Sequence, residues 1–386
     1  MKKILFYVVI FIVLHLLVVL NVNNIPIEQL NFPLKENPKD YFPFILYPLA
    51  GFDGAHYILI AKSGYGQFQQ AFFPFYPLLI NALSKLAGVS VLLLGLTISW
   101  VTLVLGIIFF EKFAKFITGN NDKLIWSIVF LLAFPSSFFY VAIYPESLFL
   151  FLSCACLYFI FSKRYLAASI FAVLSSLTKI QGALLIIPFI LSALELNQFS
   201  TASISHQIKA NYKKLIFALS PIYGLLIYSF YLAKTYGDPF AFYHVQEAFG
   251  AERTSQGIIL LPQVLFRYAK ILTTANINFQ YWIALLELSI FLIVFTVLLF
   301  ELYKIMKNRT KNFNYLSINL YSIAILILPT LTGTLSSIPR YALLSYGFFI
   351  ALVKIKSNAI KILITIIFGF LHIVLFVFFI KGHFVS

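Results

Sequence analysis

The stretch VSVLLLGLTISWVTLVLGIIFF, residues 89–110, contains 22 residues without a charged side chain and ends at Glu111 and Lys112. A helix needs roughly 20 apolar residues to cross the hydrocarbon core of a bilayer, so this stretch predicts a transmembrane helix. Further apolar runs follow along the chain, and the breaks between them are often basic. This alternation predicts an all-α, polytopic integral membrane protein.

Composition excludes the main soluble classes of protein. Of the 386 residues, 61% are hydrophobic and only 11% are charged, against about 25% charged residues in soluble domains. Such a chain has too few polar residues to cover a soluble surface, which excludes a cytosolic enzyme, a secreted domain and a disordered protein. Cys154 and Cys156 lie two residues apart in an apolar run, so they would not face each other on a helix and no disulfide is expected.

The apolar runs predict eleven transmembrane helices within a single domain, residues 1–386. The predicted helices cover about residues 4–20, 89–110, 124–141, 146–162, 165–178, 181–197, 215–233, 279–303, 314–333, 341–353 and 358–380. The first run follows Lys2 and Lys3 and is not followed by a small-residue cleavage site. We therefore expect it to be retained as a transmembrane helix with its basic end in the cytoplasm.

The distribution of charge supports this orientation, in which the N-terminus is cytoplasmic and the C-terminus is outside. The loops assigned to the cytoplasm hold 17 of the 28 lysines and arginines, whereas 8 of the 13 acidic residues fall in outer loops. Basic loops that face anionic lipid headgroups then explain the net charge of +15, and no nucleic-acid partner is implied.

Two long segments are predicted to lie outside the membrane. Residues 21–88 form the first outer loop, in which residues 54–63 and 73–87 read as helices lying at the membrane interface. Residues 234–278 form the second large outer loop and are mostly polar. The polar chemistry of the chain is therefore concentrated on the outer face.

The first outer loop contains the motif GFDGAHY at residues 51–57. Asp53 stands just before a helix-like stretch, where a carboxylate can cap the helix by accepting backbone N–H bonds. The same carboxylate is a candidate general base, and capping would hold it in place for that role. His56 follows one turn later and is expected to face the same way. The motif AFFPFYPLL at residues 71–79 is typical of an aromatic belt at a membrane interface.

Three further charged residues stand out on the predicted outer side. Glu146 follows a proline in YPES, residues 144–147, and both are ordinary residues for the start of a helix. Lys179 and Arg340 oppose the positive-inside trend. They either extend their charged groups to the interface or clamp a phosphate, for which an arginine is well suited. The second outer loop also carries histidine and carboxylates, but no ligand spacing indicates a metal site.

Taken together and in this order, the motifs resemble a known pattern. The residues that carry the resemblance are FDGAHY (52–57) with AKSGY (61–65), FFPFYPLL (72–79), FPS (134–136) with YPESLF (144–149), TKIQG (178–182) and PRY (339–341). The pattern is similar to that of the PIG-V-type mannosyltransferases, the family of the GPI second mannosyltransferase and its prokaryotic relatives, within the GT-C superfamily. The chain departs from it at Phe52, where the family usually has Trp, at Pro145, where it has Ser, and at Lys179, where it usually has Arg.

The resemblance implies a GT-C fold, with interfacial helices in the first outer loop, and a glycosyltransferase activity. Such an enzyme transfers a hexose, with mannose favoured, from a polyprenyl (dolichyl) phosphate sugar to a hydroxyl of a glycolipid, glycan or protein. Transfer takes place on the extracytoplasmic face with inversion, in the plasma membrane of a prokaryote or the endoplasmic reticulum of a eukaryote. The lipid-linked sugar is the donor, and metal dependence stays open because GT-C members differ.

The resemblance also implies roles for individual residues. Asp53 matches the position of the catalytic base. The implied substrate-binding residues are His56, Tyr57, Glu146, Lys179, Gln181, Arg340 and Tyr341. Within this set, Arg340 and Lys179 would hold the donor phosphate, and Glu146 and His56 would shape the sugar or acceptor pocket.

Two other functional classes stay open. A lipid-linked glycan transporter or flippase would be expected to show inverted repeats and charged residues in mid-membrane. This chain shows no internal repeat, and its mid-span ionisable residues are Glu287, His15 and His372. A non-catalytic subunit of a glycosylation complex could lose Asp53 without penalty, so the presence of that residue together with Arg340 favours an enzyme.

Overall fold

The computed structural model describes residues 2–27, 44–119, 122–194, 209, 211–250, 253–254, 257–307 and 312–385. Within these residues the chain forms α-helices and short 3-10 turns, and no strand. The prediction of an all-helical protein is confirmed. Parts of both predicted outer loops, including residues 28–43, lie outside the described residues.

Seventeen α-helices are described in this part of the chain. They are α1 (Lys2–Leu20), α2 (Asp53–Ser63), α3 (Phe75–Ala87), α4 (Val91–Thr118), α5 (Ile125–Ala133), α6 (Glu146–Phe161), α7 (Tyr165–Thr178), α8 (Ile186–Ala193), α9 (Tyr212–Ala218), α10 (Ser220–Tyr236), α11 (Ala241–His244), α12 (Leu261–Thr274), α13 (Phe279–Lys307), α14 (Phe313–Ile327), α15 (Ile338–Ala342), α16 (Tyr346–Val353) and α17 (Asn358–Ile380). Two 3-10 turns continue these helices: Ile180–Leu185 lies between α7 and α8, and Leu328–Thr332 follows α14.

Several helices are compatible with a membrane protein. Among the described residues, four helical stretches are long and apolar enough to cross a bilayer: α4, α13, α14 with the 3-10 turn that follows it, and α17. Helices α9 and α10 form a fifth candidate if they count as one span bent by 40°. The count of eleven transmembrane helices stays a prediction, because the other apolar helices are shorter than a single crossing needs.

Some predicted spans are broken into shorter pieces. The predicted span at 124–141 contains α5 and a separate 3-10 turn, Ser137–Tyr140. Helix α5 ends at Ala133, two residues before Pro135, because a proline disfavours helical geometry in the residue that precedes it. The predicted span at 181–197 begins instead as a 3-10 turn and continues as α8.

Both predicted outer loops contain helices. Helices α2 and α3 occupy nearly the residues predicted for the two interfacial helices of the first loop. The second loop contains α12, a helix of 14 residues where the sequence analysis predicted only a polar loop. Val264 and Tyr268 on α12 are buried, whereas Phe266 is exposed, so this helix is amphipathic.

Glycines allow close packing between helices next to the candidate site. A Cβ atom on Gly224 of α10 would lie 2.4 Å from the backbone oxygen of Val173 and 2.2 Å from Oγ of Ser176, both on α7. Small residues at such interfaces let membrane helices approach closely. The C-terminal end of α7, which leads directly into Lys179, is therefore held by α10.

The three ionisable residues that were predicted to lie in mid-span are paired inside the protein. Nε2 of His15 on α1 lies 2.7 Å from Nε2 of His372 on α17. The Glu287 carboxylate on α13 accepts hydrogen bonds from the Tyr268 hydroxyl at 2.7 Å and from the Ser337 backbone N–H at 3.1 Å. These contacts give all three residues structural roles, since buried polar groups require partners.

Candidate functional site

A cavity of about 480 Å³ brings the sequence motifs together. Seven of the eight predicted site residues line it, namely Asp53, Tyr57, Glu146, Lys179, Gln181, Arg340 and Tyr341. Aromatic side chains such as Phe72, Phe242 and Phe249 form much of the remaining wall. The cavity therefore combines a charged cluster with an extensive apolar surface, which is typical of small-molecule sites.

Arg340 stands at the centre of the charged cluster. Its Nη1 donates to Oδ2 of Asp53 at 2.5 Å, and its Nε lies 3.3 Å from Oε1 of Glu146. Lys179 Nζ donates to that same Oε1 at 2.7 Å. The contact between Nε and Oε1 is an ion pair without hydrogen-bond geometry. The other carboxylate oxygen of Glu146, Oε2, is buried without a hydrogen-bond partner among the described residues.

Aromatic rings surround the two cations. The guanidinium carbon of Arg340 lies 5.5 Å from the ring centre of Tyr144 and 5.6 Å from that of Phe139. Lys179 Nζ lies 5.3 Å from the ring centre of Tyr341. Such cation–π contacts stabilise positive charge in a partly dehydrated site.

The charges of the cluster follow from these neighbours. Burial acts to raise the pKa of Asp53, but the Arg340 guanidinium outweighs burial and holds that pKa below its ordinary value. Burial acts to lower the pKa of Arg340, but Asp53 and Glu146 keep it well above the ordinary arginine value. Burial lowers the pKa of His56, and the Asp53 charge only partly opposes this. At neutral pH Asp53 is thus a carboxylate, Arg340 a cation and His56 neutral.

Hydrogen bonds join the segment before α2 to the turn before α6. The Ile143 N–H donates to the Leu49 carbonyl oxygen at 2.9 Å, and the Tyr144 hydroxyl donates to the Gly51 carbonyl oxygen at 2.9 Å. Each segment leads directly into an acidic residue that begins a helix. These bonds therefore fix the two carboxylates of the cavity relative to each other.

Arg340 lies on the short helix α15, and the chain around it is also anchored. Ser136 Oγ donates to the Pro339 carbonyl oxygen at 2.6 Å. On the other side, Glu287 accepts the Ser337 N–H and so fixes the residue at which the chain turns into α15. Glu287 is thus a positioning residue for Arg340, a role that the sequence analysis did not assign to it.

Left-handed backbone precedes both the acid and the arginine. Phe52, directly before Asp53, has φ 54°, and Ser337, three residues before Arg340, has φ 65°. Residues other than glycine adopt positive φ uncommonly, and such strained positions cluster at functional sites. Strained backbone thus lies directly before Asp53 and at the start of the short helix that carries Arg340.

Lys179 and Gln181 lie where α7 ends and the 3-10 turn begins. Both side chains are buried, with exposed fractions of 8% and 3%. The turn packs directly on α7, because a Cβ on Gly182 would lie 2.3 Å from the Ser176 backbone nitrogen. The TKIQG motif therefore needs its glycine for packing, and this packing carries the lysine into the cavity.

His56 is the predicted site residue that does not line the cavity. Its ring stacks on Phe72, with 4.8 Å between ring centres, and Nδ1 lies 3.4 Å from Nε2 of Gln69. Phe72 itself lines the cavity, so His56 lies behind the wall. His56 therefore does not face the cavity, and its contact with Phe72 joins it to the cavity wall.

Arg253 also lines the cavity, although it lies in none of the sequence motifs. Arg253 belongs to the second predicted outer loop, and its guanidinium lies 3.5 Å from both Gln246 Oε1 and Ser336 Oγ. One feature of the sequence could have identified Arg253, because this residue opposes the positive-inside trend as Lys179 and Arg340 do. With it, three cations and two carboxylates line the cavity, an excess of one positive charge.

No group of three or more His, Cys, Asp and Glu side chains within the described residues could hold a metal ion. In comparisons with known proteins, no family model, curated protein or solved structure matches the chain. The geometry of the cavity places a carboxylate that can accept a proton beside cations that can bind an anion.

Proposed function

We propose that this protein is a membrane glycosyltransferase that moves a hexose, with mannose favoured, from a polyprenyl phosphate sugar to an acceptor hydroxyl, with inversion. The observation that carries the proposal is the direct ion pair between Asp53 and Arg340, 287 residues apart in sequence, inside one aromatic-lined cavity. Displacing a sugar from a phosphate requires a base for the incoming hydroxyl and cations for the leaving group.

The cations provide a site for the donor phosphate. Arg340 and Lys179 are both buried or nearly so and are oriented by Glu146, so little side-chain freedom is lost when they bind a phosphate. Arg253 adds a third cation to the same cavity. The apolar wall offers a surface for the first isoprene units of the lipid tail.

Donor binding would also activate the base. While Asp53 is paired with Arg340, its pKa is lowered and the carboxylate is a weak base. A phosphate oxygen that binds Arg340 competes with this pair and returns basicity to Asp53. The donor would therefore bind before the acceptor is deprotonated, and Asp53 would become an effective base only when a donor is present.

The reaction is a single displacement. The acceptor oxygen forms a bond to the anomeric carbon, and the bond between that carbon and the phosphate oxygen breaks with its electron pair leaving on the phosphate. Asp53 takes the proton of the acceptor hydroxyl. Oε2 of Glu146, which has no partner among the described residues, is available to accept a hydrogen bond from a sugar hydroxyl.

The proposal extends to the fold and its orientation. We propose a GT-C fold of eleven transmembrane helices related to the PIG-V-type mannosyltransferases, with α2 and α3 at the outer interface. The cavity then opens on the extracytoplasmic face. Support comes from the order of the motifs and from the positions of α2 and α3 in the first loop.

A transfer assay in proteoliposomes tests the proposal. The donor is radiolabelled polyprenyl-phosphate mannose, and pooled membrane lipids and glycans are the acceptors. Asp53→Asn removes the base with little change in shape, and we expect transfer to fall about 10²–10⁴-fold. The matched control is Asp238→Asn, which removes an equally charged and partly exposed carboxylate outside the cavity and should keep the wild-type rate.

Each outcome of this assay has a defined meaning. Equal transfer by wild type and Asp53→Asn would remove Asp53 from the catalytic role and keep the enzyme class. If folded wild-type protein consumes neither polyprenyl-phosphate mannose nor the corresponding glucose donor, the glycosyltransferase proposal fails. A lipid-linked glycan transporter or a non-catalytic subunit would then be the better description.

A further inference from the structure

A second cavity, also of about 480 Å³, lies at the other end of α13 from the candidate site. Helix α13 contributes Glu287 beside the Arg340 segment and Glu301 to the second cavity. The two residues are 14 positions apart, which corresponds to about 21 Å along a helix axis. We call this second site the basic cavity.

The basic cavity carries a large excess of positive charge. Four lysines line it, Lys123, Lys304, Lys354 and Lys356, whereas Glu301 is the acidic residue among its lining side chains. The excess is three positive charges in a space large enough for a small ligand. Lysines gathered in this way repel each other unless an anion lies between them.

Glu301 organises two of these lysines. Its carboxylate is almost fully buried and accepts hydrogen bonds from Lys354 Nζ at 2.5 Å, from the Tyr315 hydroxyl at 2.8 Å and from Lys304 Nζ at 3.4 Å. The lysine side chains themselves are about half exposed, at 47% and 48%. A buried anion thus holds two ammonium groups at the cavity surface, where their remaining N–H donors can bind a ligand.

The other walls of the basic cavity are apolar. The aliphatic residues that line it are Ile117, Ile305, Ile350, Val353 and Ile355. Asn312 Nδ2 donates to the Ile117 carbonyl oxygen at 3.1 Å and so joins the start of α14 to the end of α4. A basic edge above an aliphatic wall suits a ligand with an anionic head and an apolar tail.

We propose that the basic cavity binds a phosphate-bearing anion, with phosphate oxygens accepting hydrogen bonds from Lys304, Lys354 and Lys356. Phosphate matches the site because it has several acceptor oxygens and a charge that offsets the lysine excess. Its source is either the headgroup of an anionic phospholipid, whose acyl chain packs on the aliphatic wall, or free phosphate. Basic pockets between transmembrane helices are known to bind anionic headgroups. The site is separate from the candidate active site and does not rest on the proposed transfer activity.

Binding measurements on the purified full chain in detergent test this proposal. Native mass spectrometry follows retention of phosphatidylglycerol against phosphatidylcholine, and calorimetry follows inorganic phosphate. The double variant Lys354→Gln/Lys356→Gln should weaken binding about 25-fold, since each lysine near an anionic group contributes about fivefold. The matched control, Lys112→Gln/Lys115→Gln, removes the same charge near the same end of α4 but outside the cavity and should bind as wild type does.

The single variant Lys356→Gln tests the site without disturbing the fold. Lys356 is exposed, whereas Lys354 in the double variant hydrogen-bonds the buried Glu301. The single variant should weaken binding about fivefold and leave the melting temperature unchanged. Selective retention of phosphatidylglycerol alone identifies a lipid site, and inorganic phosphate that binds and competes with the lipid identifies a general phosphate site. The proposal is overturned if neither phosphatidylglycerol nor inorganic phosphate binds. It is also overturned if the cavity double variant and the control double variant lose binding equally.

Discussion

Arg340 pairs with both carboxylates of the candidate site while only 13% of its side chain is exposed. Removing one partner from a buried ion pair costs about 3–5 kcal/mol, because the remaining charge is left uncompensated. Loss of Arg340 would leave Lys179 and Arg253 as the cations of the cavity, and neither makes the direct contact with Asp53 that Arg340 makes. Changes at these residues will therefore alter stability as well as activity, and each activity test needs a melting curve beside it.

We expect the stabilising effect of the Asp53–Arg340 pair to disappear in acid. The folded-state pKa of Asp53 lies below the ordinary value of about 3.9, so the unfolded state takes up a proton first as the pH falls. The contribution of the pair is complete well above pH 4 and is lost as the pH falls through the folded-state pKa. Thermal unfolding in detergent should show wild type more stable than Asp53→Asn at pH 7, with the difference shrinking towards pH 3.

The control for this measurement is Glu111→Gln, which neutralises a partly exposed carboxylate in an i, i+4 pair with the exposed Lys115. Exposed pairs contribute about 0–1 kcal/mol, so its melting profile should run parallel to that of wild type. A constant difference between wild type and Asp53→Asn from pH 7 to pH 3 would contradict the expectation.

The residues of the site were easier to predict than their contacts. The motifs identified Asp53 and Arg340, but sequence spacing carries no information on a contact between residues so far apart. Arg253 was missed because it lies in no motif. His56 follows Asp53 by one helical turn, yet stacking on Phe72 directs its ring behind the cavity wall.

At the scale of elements, we expect Gly224→Ala to loosen the packing of α10 on α7. The added Cβ would meet the backbone oxygen of Val173 at 2.4 Å, and a backbone atom cannot move aside as a flexible side chain can. Overpacking of this kind costs about 1–3 kcal/mol, so the melting temperature should fall. Transfer activity should fall with it, because the end of α7 positions Lys179.

Gly369→Ala is the matched control, since this glycine also lies within a long apolar helix, α17. A Cβ there has no neighbour within 4 Å. Alanine favours a helix over glycine by about 1 kcal/mol, so the melting temperature should stay the same or rise. A similar fall for both variants would show that the effect of Gly224→Ala is not one of packing.

Long helices were predicted well, and their interruptions were not. Helices α4, α13 and α17 begin within a few residues of the predicted spans, because a long uninterrupted apolar run forms a helix in a bilayer. Helix α4 extends past Glu111 to Thr118, since charged residues end a membrane span but do not end a helix. Helix α12 was missed because its polar residues obscured the period of its buried positions.

At the scale of the whole molecule, the candidate site and the basic cavity lie at the two ends of α13. The lysines of the basic cavity are those that the charge distribution assigned to the cytoplasm, and the candidate site is built from predicted outer loops. The lining residues carry an excess of three positive charges at the basic cavity and of one at the candidate site. The sequence could not predict which of the basic loops come together to line one cavity.

We expect the two ends to be labelled from opposite sides of the membrane. Gln67→Cys lies in the exposed loop between α2 and α3, and Lys356→Cys lies beside the basic cavity. A membrane-impermeant maleimide should label the first in intact cells and the second only after permeabilisation. The native cysteines, Cys154 and Cys156, are fully buried and give little background.

The wild-type protein, treated in the same way, is the control for background labelling. Labelling with the sides reversed would overturn the proposed orientation. Labelling of both variants from one side would contradict the proposal that the two cavities lie at opposite faces of a membrane.

The long separation of Asp53 and Arg340 has a consequence for biosynthesis. Glu146 is translated 194 residues before Arg340, which corresponds to roughly 10–40 seconds of elongation. During that time the nascent chain holds two carboxylates without the guanidinium that pairs with them, and Lys179 is the first cation of the cluster to arrive. The charged cluster closes only as the last helices leave the ribosome, so a chain that stops short of Arg340 lacks the cation that pairs with both carboxylates.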